Sequence, residues 1–283
     1  MNKTTILKRR TVYTIAIALI AASASLCRAA LAAEQSGKAG QTPATATALT
    51  PRQQAIVPIA AFAAAGNIPK LGMALNRGLD AGMTVSDARE VLVQLYAYAG
   101  FPRSLNALDE LMKVLASRKQ RGIQDAAGAA PGKPVPTGKA LLAAGTANQT
   151  KLIGAPVKGA VFDFAPAIDE YLKTHLFGDI FERDNLDWQS RELATLGMLS
   201  ALPGAEAQLQ SHMRVSMNVG LTAEQLHQLT SVLADRADGA NARRARQALE
   251  RALEATSPRQ ASTPQPATCA GTRTCNAEEF QAL

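Results

Sequence analysis

The chain is predicted to be all-α, built from two tandem helical repeats. Three observations predict it. The body is rich in Ala and Leu, with few β-branched runs and little of the alternation that a half-buried strand needs. Two stretches, residues 49–95 and 186–233, align with each other at an offset of 137 that becomes 138 after a one-residue insertion. Both carry the same Gly-x-Thr turn, at Gly82–Thr84 and Gly220–Thr222, where one helix must stop with positive φ and the next must be capped.

Taken in order, residues 1–32 read as a secretory signal peptide: the basic leader "MNKTTILKRR", the apolar run "TVYTIAIALIAASASL", and a small-residue site ending at Ala32. The run is short for a lasting membrane span, so the mature protein is expected to be periplasmic or secreted, with no stable span. A twin-arginine signal at Arg9-Arg10 or lipidation of Cys27 would each lack the neighbours it needs. The leader holds five basic residues and no acid, so its removal takes the formal charge from +7 to +2. A nearly balanced chain with few aromatics gives no reason to expect nucleic acid as a partner.

The first repeat spans residues 45–120. Thr50 is placed to cap its first helix, with Pro51 at the opening position and Gln53 completing a capping box, and Pro58 is expected to kink that helix. Thr84 with Asp87 caps a later one. The linker, 121–160, opens with "GIQDAAGAAPGKPVPTGK", a flexible connection, and continues with "ALLAAGTANQTKLIG", which reads as a short helix. The second repeat, 161–255, begins with an amphipathic helix over 162–181 and repeats the caps at Asp187 and at Thr222 with Gln225. Residues 256–283, rich in Ser, Thr, Pro and Gln, read as a disordered tail. Cys269 and Cys275 in that tail form a local disulfide or two inert thiols rather than a redox site, because they are not spaced Cys-x-x-Cys.

Three histidines are scattered along the chain without His-x-x-x-His spacing, so no metal site is expected. His175 and His227 read as surface residues. Helical spacing puts His212 with Leu209, Val215 and Val219, and Glu192 with Leu196 and Leu199. Both polar groups therefore fall on largely apolar faces of neighbouring helices, where they could share a proton or simply hydrogen-bond and hold two helices in register. Met198, Met213 and Met217 read as core filler.

The stretch "FGDIFERDNLDWQSRELATLGMLSAL", followed by "QLQSHMRVSMNVGLTAEQL", resembles the carboxymuconolactone decarboxylase family, whose domain has the alkylhydroperoxidase D-like helical fold. The first copy resembles the family's later part, in "GLDAGMTVSDAREVLVQLYAYAGFPRSLNAL", through Tyr-x-Gly-x-Pro followed by Asn-Ala. The resemblance implies functional roles for Glu192 and His212, whose places in the first copy are taken by Ala55 and Ala74. Conversely, the second copy has "ADRADGA" (234–240) in place of the Tyr-x-Gly-x-Pro motif. Each copy lacks what the other keeps, so the resemblance implies that the two alkylhydroperoxidase D-like repeats work as one unit, an internal pseudo-dimer presenting one type of site.

The hydroperoxidase branch of the family carries Cys-x-x-Cys shortly before the histidine; Ala205 and Gln208 stand there instead, which disfavours peroxidase or peroxiredoxin activity. The remaining expectation is cofactor-free acid/base chemistry of the decarboxylase or lyase kind on a small-molecule substrate. In it, Glu192 and His212 are the catalytic pair and Arg191 or Arg214 holds a substrate carboxylate. The family's decarboxylase serves a cytoplasmic pathway, so an exported member is expected to act on a different lactone or keto acid. A ligand-binding module without catalysis is the third reading. The family pattern also implies a homo-oligomer. Tyr98, Pro102 and Asn106 read as packing residues, in the core or between the copies.

Overall fold

A computed structural model describes residues 48–256. In chain order, the first copy supplies α1 (Pro51–Ala65), α2 (Ile68–Asp80), α3 (Val85–Gln94) and α4 (Tyr96–Gln120). Next come α5 (Gly138–Ile153), α6 (Ala160–Phe164), α7 (Pro166–Tyr171) and a π-helical segment, π1 (Leu172–Ile180), the last two within the second copy. The second copy supplies α8 (Trp188–Ser200), α9 (Glu206–Asn218), α10 (Ala223–Arg236) and α11 (Gly239–Thr256). No strand occurs among the described residues, and no described helix is long and apolar enough to cross a membrane. The leader, its cleavage site and the cysteines of the tail lie outside the described residues.

The caps form as their chemistry requires. Thr50, Thr84 and Thr222 each accept from the backbone N–H three residues on, and Gln53, Asp87 and Gln225 return the bond to the cap's own N–H. Asp187 caps α8 through Ser190 N–H at 2.8 Å. Gly82 and Gly220 take φ of 91° and 97°, the left-handed region where only glycine is free of Cβ strain. Pro58 does not interrupt α1, which runs helical from Pro51 to Ala65.

Both copies contribute to one apolar core, and α1 packs on α8 at its centre. All residues from Ala55 to Ala64 and from Ser190 to Ser200 are buried, so neither helix has the polar stripe of a surface helix. The contact is close: an added Cβ on Gly197 would stand 2.6 Å from the Val57 carbonyl oxygen and 2.9 Å from Ala60 Cβ. Ala60 is the repeat equivalent of Gly197, so here each copy meets the other's matching position, as at the axis of a two-fold pair.

The stretch between α4 and α8 departs from its sequence reading in three ways. Residues 162–181 are not one helix. Pro166 disfavours the helical conformation for Ala165, which sits at φ −131° and separates α6 from α7, and the chain then widens into π1. Phe164 and Tyr171 are exposed, whereas Leu176, Phe177, Ile180 and Phe181 pack with Leu152 and Val215 into a second apolar cluster. The stretch read as a short helix is the body of the 16-residue α5. The connection after α4 is tied to the first copy, because Val85 N–H and Ser86 N–H at the start of α3 donate to the Ala126 and Ala127 carbonyls, both at 2.9 Å.

Helix α5 lies tightly on π1. Asn148 Nδ2 donates to the Phe177 carbonyl at 2.9 Å, and Gly145 lies so near the Lys173 carbonyl that a methyl there would overlap it. An unhindered Gly→Ala change in a helix gains up to about 1 kcal/mol. Gly145→Ala is expected instead to cost about 1–3 kcal/mol through overpacking, loosening α5 locally. The single tryptophan, Trp188, reports it: its ring packs in the second cluster under Lys151 Nζ at 4.6 Å, so its emission should shift to the red.

Candidate active site

Helices α8 and α9 lie side by side, and Glu192 on the first meets His212 on the second: Nδ1 is 2.8 Å from Oε2. Glu192 is fully buried, while 15% of the imidazole is exposed. An ionised carboxyl can only accept, so Nδ1 then carries the hydrogen of this bond and Nε2 is left as the exchangeable position. The other carboxyl oxygen, Oε1, is buried and meets no hydrogen-bond partner. Leaving a buried acceptor open costs about 1–3 kcal/mol.

Tyr98, just before α4 bends, closes one side. Its ring stands edge-on to the imidazole, with centroids 6.0 Å apart and planes at 75°. The bend is at Gly100, whose φ of 80° and ψ of 164° break the helix before Pro102 restarts it. Pro102 and Asn106, read as packing residues, are exposed; Tyr98 is partly buried and touches both apolar clusters. Its oxygen is 3.1 Å from Thr195 Oγ1, which lies one turn beyond Glu192 and accepts from Gln94 Nε2 at 2.8 Å. Burial first, and then the charge of Glu192, raise the phenol well above its ordinary range, against the Thr195 bond, so it stays a donor.

Arg191 is not brought to this pair. Its guanidinium is wholly buried beside Glu90 of α3, Nη2 to Oε2 at 3.2 Å, and also donates to the Arg183 carbonyl at 2.9 Å and to Gln94 Oε1 at 3.4 Å. Burial lowers its affinity for the proton and Glu90 opposes that. Burial would likewise raise Glu90, but hydrogen bonds from Arg183 and Asn185 and the charges of Arg191 and Arg183 outweigh it and hold the carboxyl at about 2. Arg214 lies roughly 200° around α9 from His212 by the helical period, with Nη2 3.5 Å from Ser211 Oγ. Neither arginine therefore shares the face of the pair.

The other histidines are exposed, His175 beside Asp179 at 3.1 Å. Among the described residues no group of three or more His, Cys, Asp or Glu could hold a metal ion. The sequence reading missed the Glu90–Arg191–Gln94–Thr195 network, which joins residues about a hundred positions apart and has no local pattern. Tyr98 stood within a motif, but nothing in the motif says what the ring faces.

No curated protein matches the chain in sequence. The model of the carboxymuconolactone decarboxylase family matches it twice, over residues 39–112 and 166–251, together more than half of the chain and one match to each copy. With the helical repeat and the duplicated match agreeing, the chain belongs to the carboxymuconolactone decarboxylase family.

Proposed function

We propose that this is an exported protein carrying out cofactor-free acid/base chemistry, of the decarboxylase or lyase kind, on a small carboxylated lactone or keto acid. The observation that carries this is the Glu192–His212 contact with one carboxyl oxygen buried and open beside a partly exposed imidazole. In the proposed step, on a substrate whose carboxylate stands β to a carbonyl or is conjugated to one through a double bond, the bond from carbon to the carboxylate breaks, carbon dioxide leaves, and the electron pair moves into that carbonyl as an enolate. Protonated His212 then delivers a proton to carbon and recovers one from solvent, while Glu192 orients the ring and stabilises its charge. Arg191 and Arg214 have no part in this step, because one is committed to Glu90 and the other shares no face with the pair.

Thiol redox chemistry is the competing reading, and it needs a thiolate. Residues 48–256 contain no cysteine.

The test is a mass-spectrometric screen of carboxylated lactones and keto acids with the wild-type protein and a Glu192→Gln, His212→Ala variant. Wild type is expected to release carbon dioxide from a member of the panel. The variant should lose about 10²–10⁴-fold in rate while keeping its helical spectrum. Equal turnover by the variant would sink the proposal, and binding without turnover would make the protein a binding module.

A further inference from the structure

We infer that the site is shared between the two copies, with Tyr98 of the first copy donating its hydroxyl to the substrate oxygen on which Glu192 and His212 of the second copy act. The inference rests on the proton-handling reading of that pair. Its geometric basis is the edge-on stack of Tyr98 on His212 and the bond from the Tyr98 oxygen to Thr195, on the same side of α8 as Glu192.

The hydroxyl network suits a donor that must be redirected. Thr195 Oγ1 has one hydrogen and two places to send it, the Arg191 carbonyl at 3.0 Å or the Tyr98 oxygen at 3.1 Å, while Gln94 Nε2 donates to it throughout. With the hydrogen on the Arg191 carbonyl, Tyr98 donates to Thr195. With it turned to Tyr98, the phenol hydrogen is released towards an enolate oxygen and the phenol is polarised by the bond it receives. No proton need leave the protein for this switch, and Gln94 and Thr195 are both buried.

The repeat supplies an independent argument. Two-fold pairing of the copies generates two places for a composite site. One combines Glu192 and His212 with Tyr98; the other combines their equivalents Ala55 and Ala74 with Arg236, the equivalent of Tyr98. The first place keeps all three groups and the second keeps none, with Ala55 and Ala74 absorbed into the core. Were Tyr98 only packing, its presence would not need to follow that of a carboxyl and an imidazole on the other copy. Kept or lost together across two copies, the three behave as parts of one device.

The test uses the full chain with Tyr98→Phe, which keeps the ring against His212 and removes only the oxygen. On the substrate found in the screen, kcat should fall about a hundredfold with KM little changed. Oxalate, a planar mimic of a keto-acid enolate, provides a readout that needs no turnover. Its binding should move the His212 Cε1–H resonance, one of three such signals and identified by its loss in His212→Ala, and Tyr98→Phe should bind oxalate about tenfold more weakly. A Tyr98→Phe protein that matches wild type in kcat and in oxalate affinity overturns the shared site, even where Glu192→Gln, His212→Ala is inactive and the proton-handling reading stands. If wild type turns over nothing, that reading fails. The shared site then survives as a binding site where oxalate binds and Tyr98→Phe weakens it, and falls where Tyr98→Phe binds equally or oxalate binds neither protein.

Discussion

Gly197→Leu is expected to abolish the cooperative thermal transition of the protein, and Gly197→Ala to lower its stability by about 1–3 kcal/mol. In an exposed helix the alanine change would be favourable by up to about 1 kcal/mol. Here the added methyl meets the Val57 carbonyl oxygen at 2.6 Å and Ala60 Cβ at 2.9 Å, and the carbonyl belongs to the backbone of a buried helix that cannot swing aside. Helices α1 and α8 would have to part, opening voids along the centre of the core they share. A leucine adds three more carbons at the same point, where no neighbour can yield. Circular dichroism against temperature checks both. The repeat also suggests its own rescue: Ala60→Gly removes the methyl at the equivalent position, so the Ala60→Gly, Gly197→Ala protein should recover part of the loss. Fully additive losses would show that the two helices do not press on each other there.

That contact shows why the fold was largely legible in sequence and its centre was not. The capping boxes at Thr50, Thr84 and Thr222 and the glycine turns are local chemistry, complete within four residues, so the pattern alone places helix ends. The central helices α1 and α8 are buried on every side over Ala55–Ala64 and Ser190–Ser200, so neither shows the amphipathic period that would mark a face for a partner. The family resemblance pointed to Glu192 and His212, helical spacing placed each on an apolar face, and the short connection between α8 and α9 brings those faces together. Arg191 was misread as a substrate anchor because its partner, Glu90, lies in the other copy, 101 residues away. The π-helical turn escaped for a different reason: an apolar run spaced for an α-helix does not reveal that Pro166 will break it or that Gly145 and Gly178 let two backbones close on each other.

Glu90→Gln should destabilise the protein by about 3–5 kcal/mol, because it strands the wholly buried Arg191 guanidinium without a counter-charge. Arg191→Gln should cost a similar amount by removing one of the two cations that hold Glu90 ionised. The two changes together should cost far less than their sum. The molecule contains the precedent: on the opposite side of the pseudo-dimer the equivalents of Arg191 and Glu90 are Gln54 and Gln228, a neutral pair bridged by the Leu49 backbone, whose carbonyl accepts from Gln54 at 2.9 Å and whose N–H donates to Gln228 at 2.7 Å. Glu90→Gln, Arg191→Gln therefore restores a neutral pair of the kind this fold already accommodates and leaves Arg183, whose side chain is 30% exposed, to be solvated in place of its Glu90 contact. Acid should act as the single carboxyl change does. Folding lowers the Glu90 carboxyl from 4.5 to about 2, so the stability it confers is fully present above pH 4.5 and is lost as the pH falls towards 2. Denaturant titrations at a series of pH values would show wild type losing stability across that window. The doubly substituted protein should lose less of it, and an equal loss in both would place the acid sensitivity elsewhere. The same substitutions reach the proposed site through Gln94, which accepts from Arg191 and donates to Thr195 beside Tyr98. A doubly substituted protein as stable as wild type yet slower in turnover would show that the buried charges serve to hold α8 at the rotation that presents Glu192 to His212, beyond anything they add to the stability of the core.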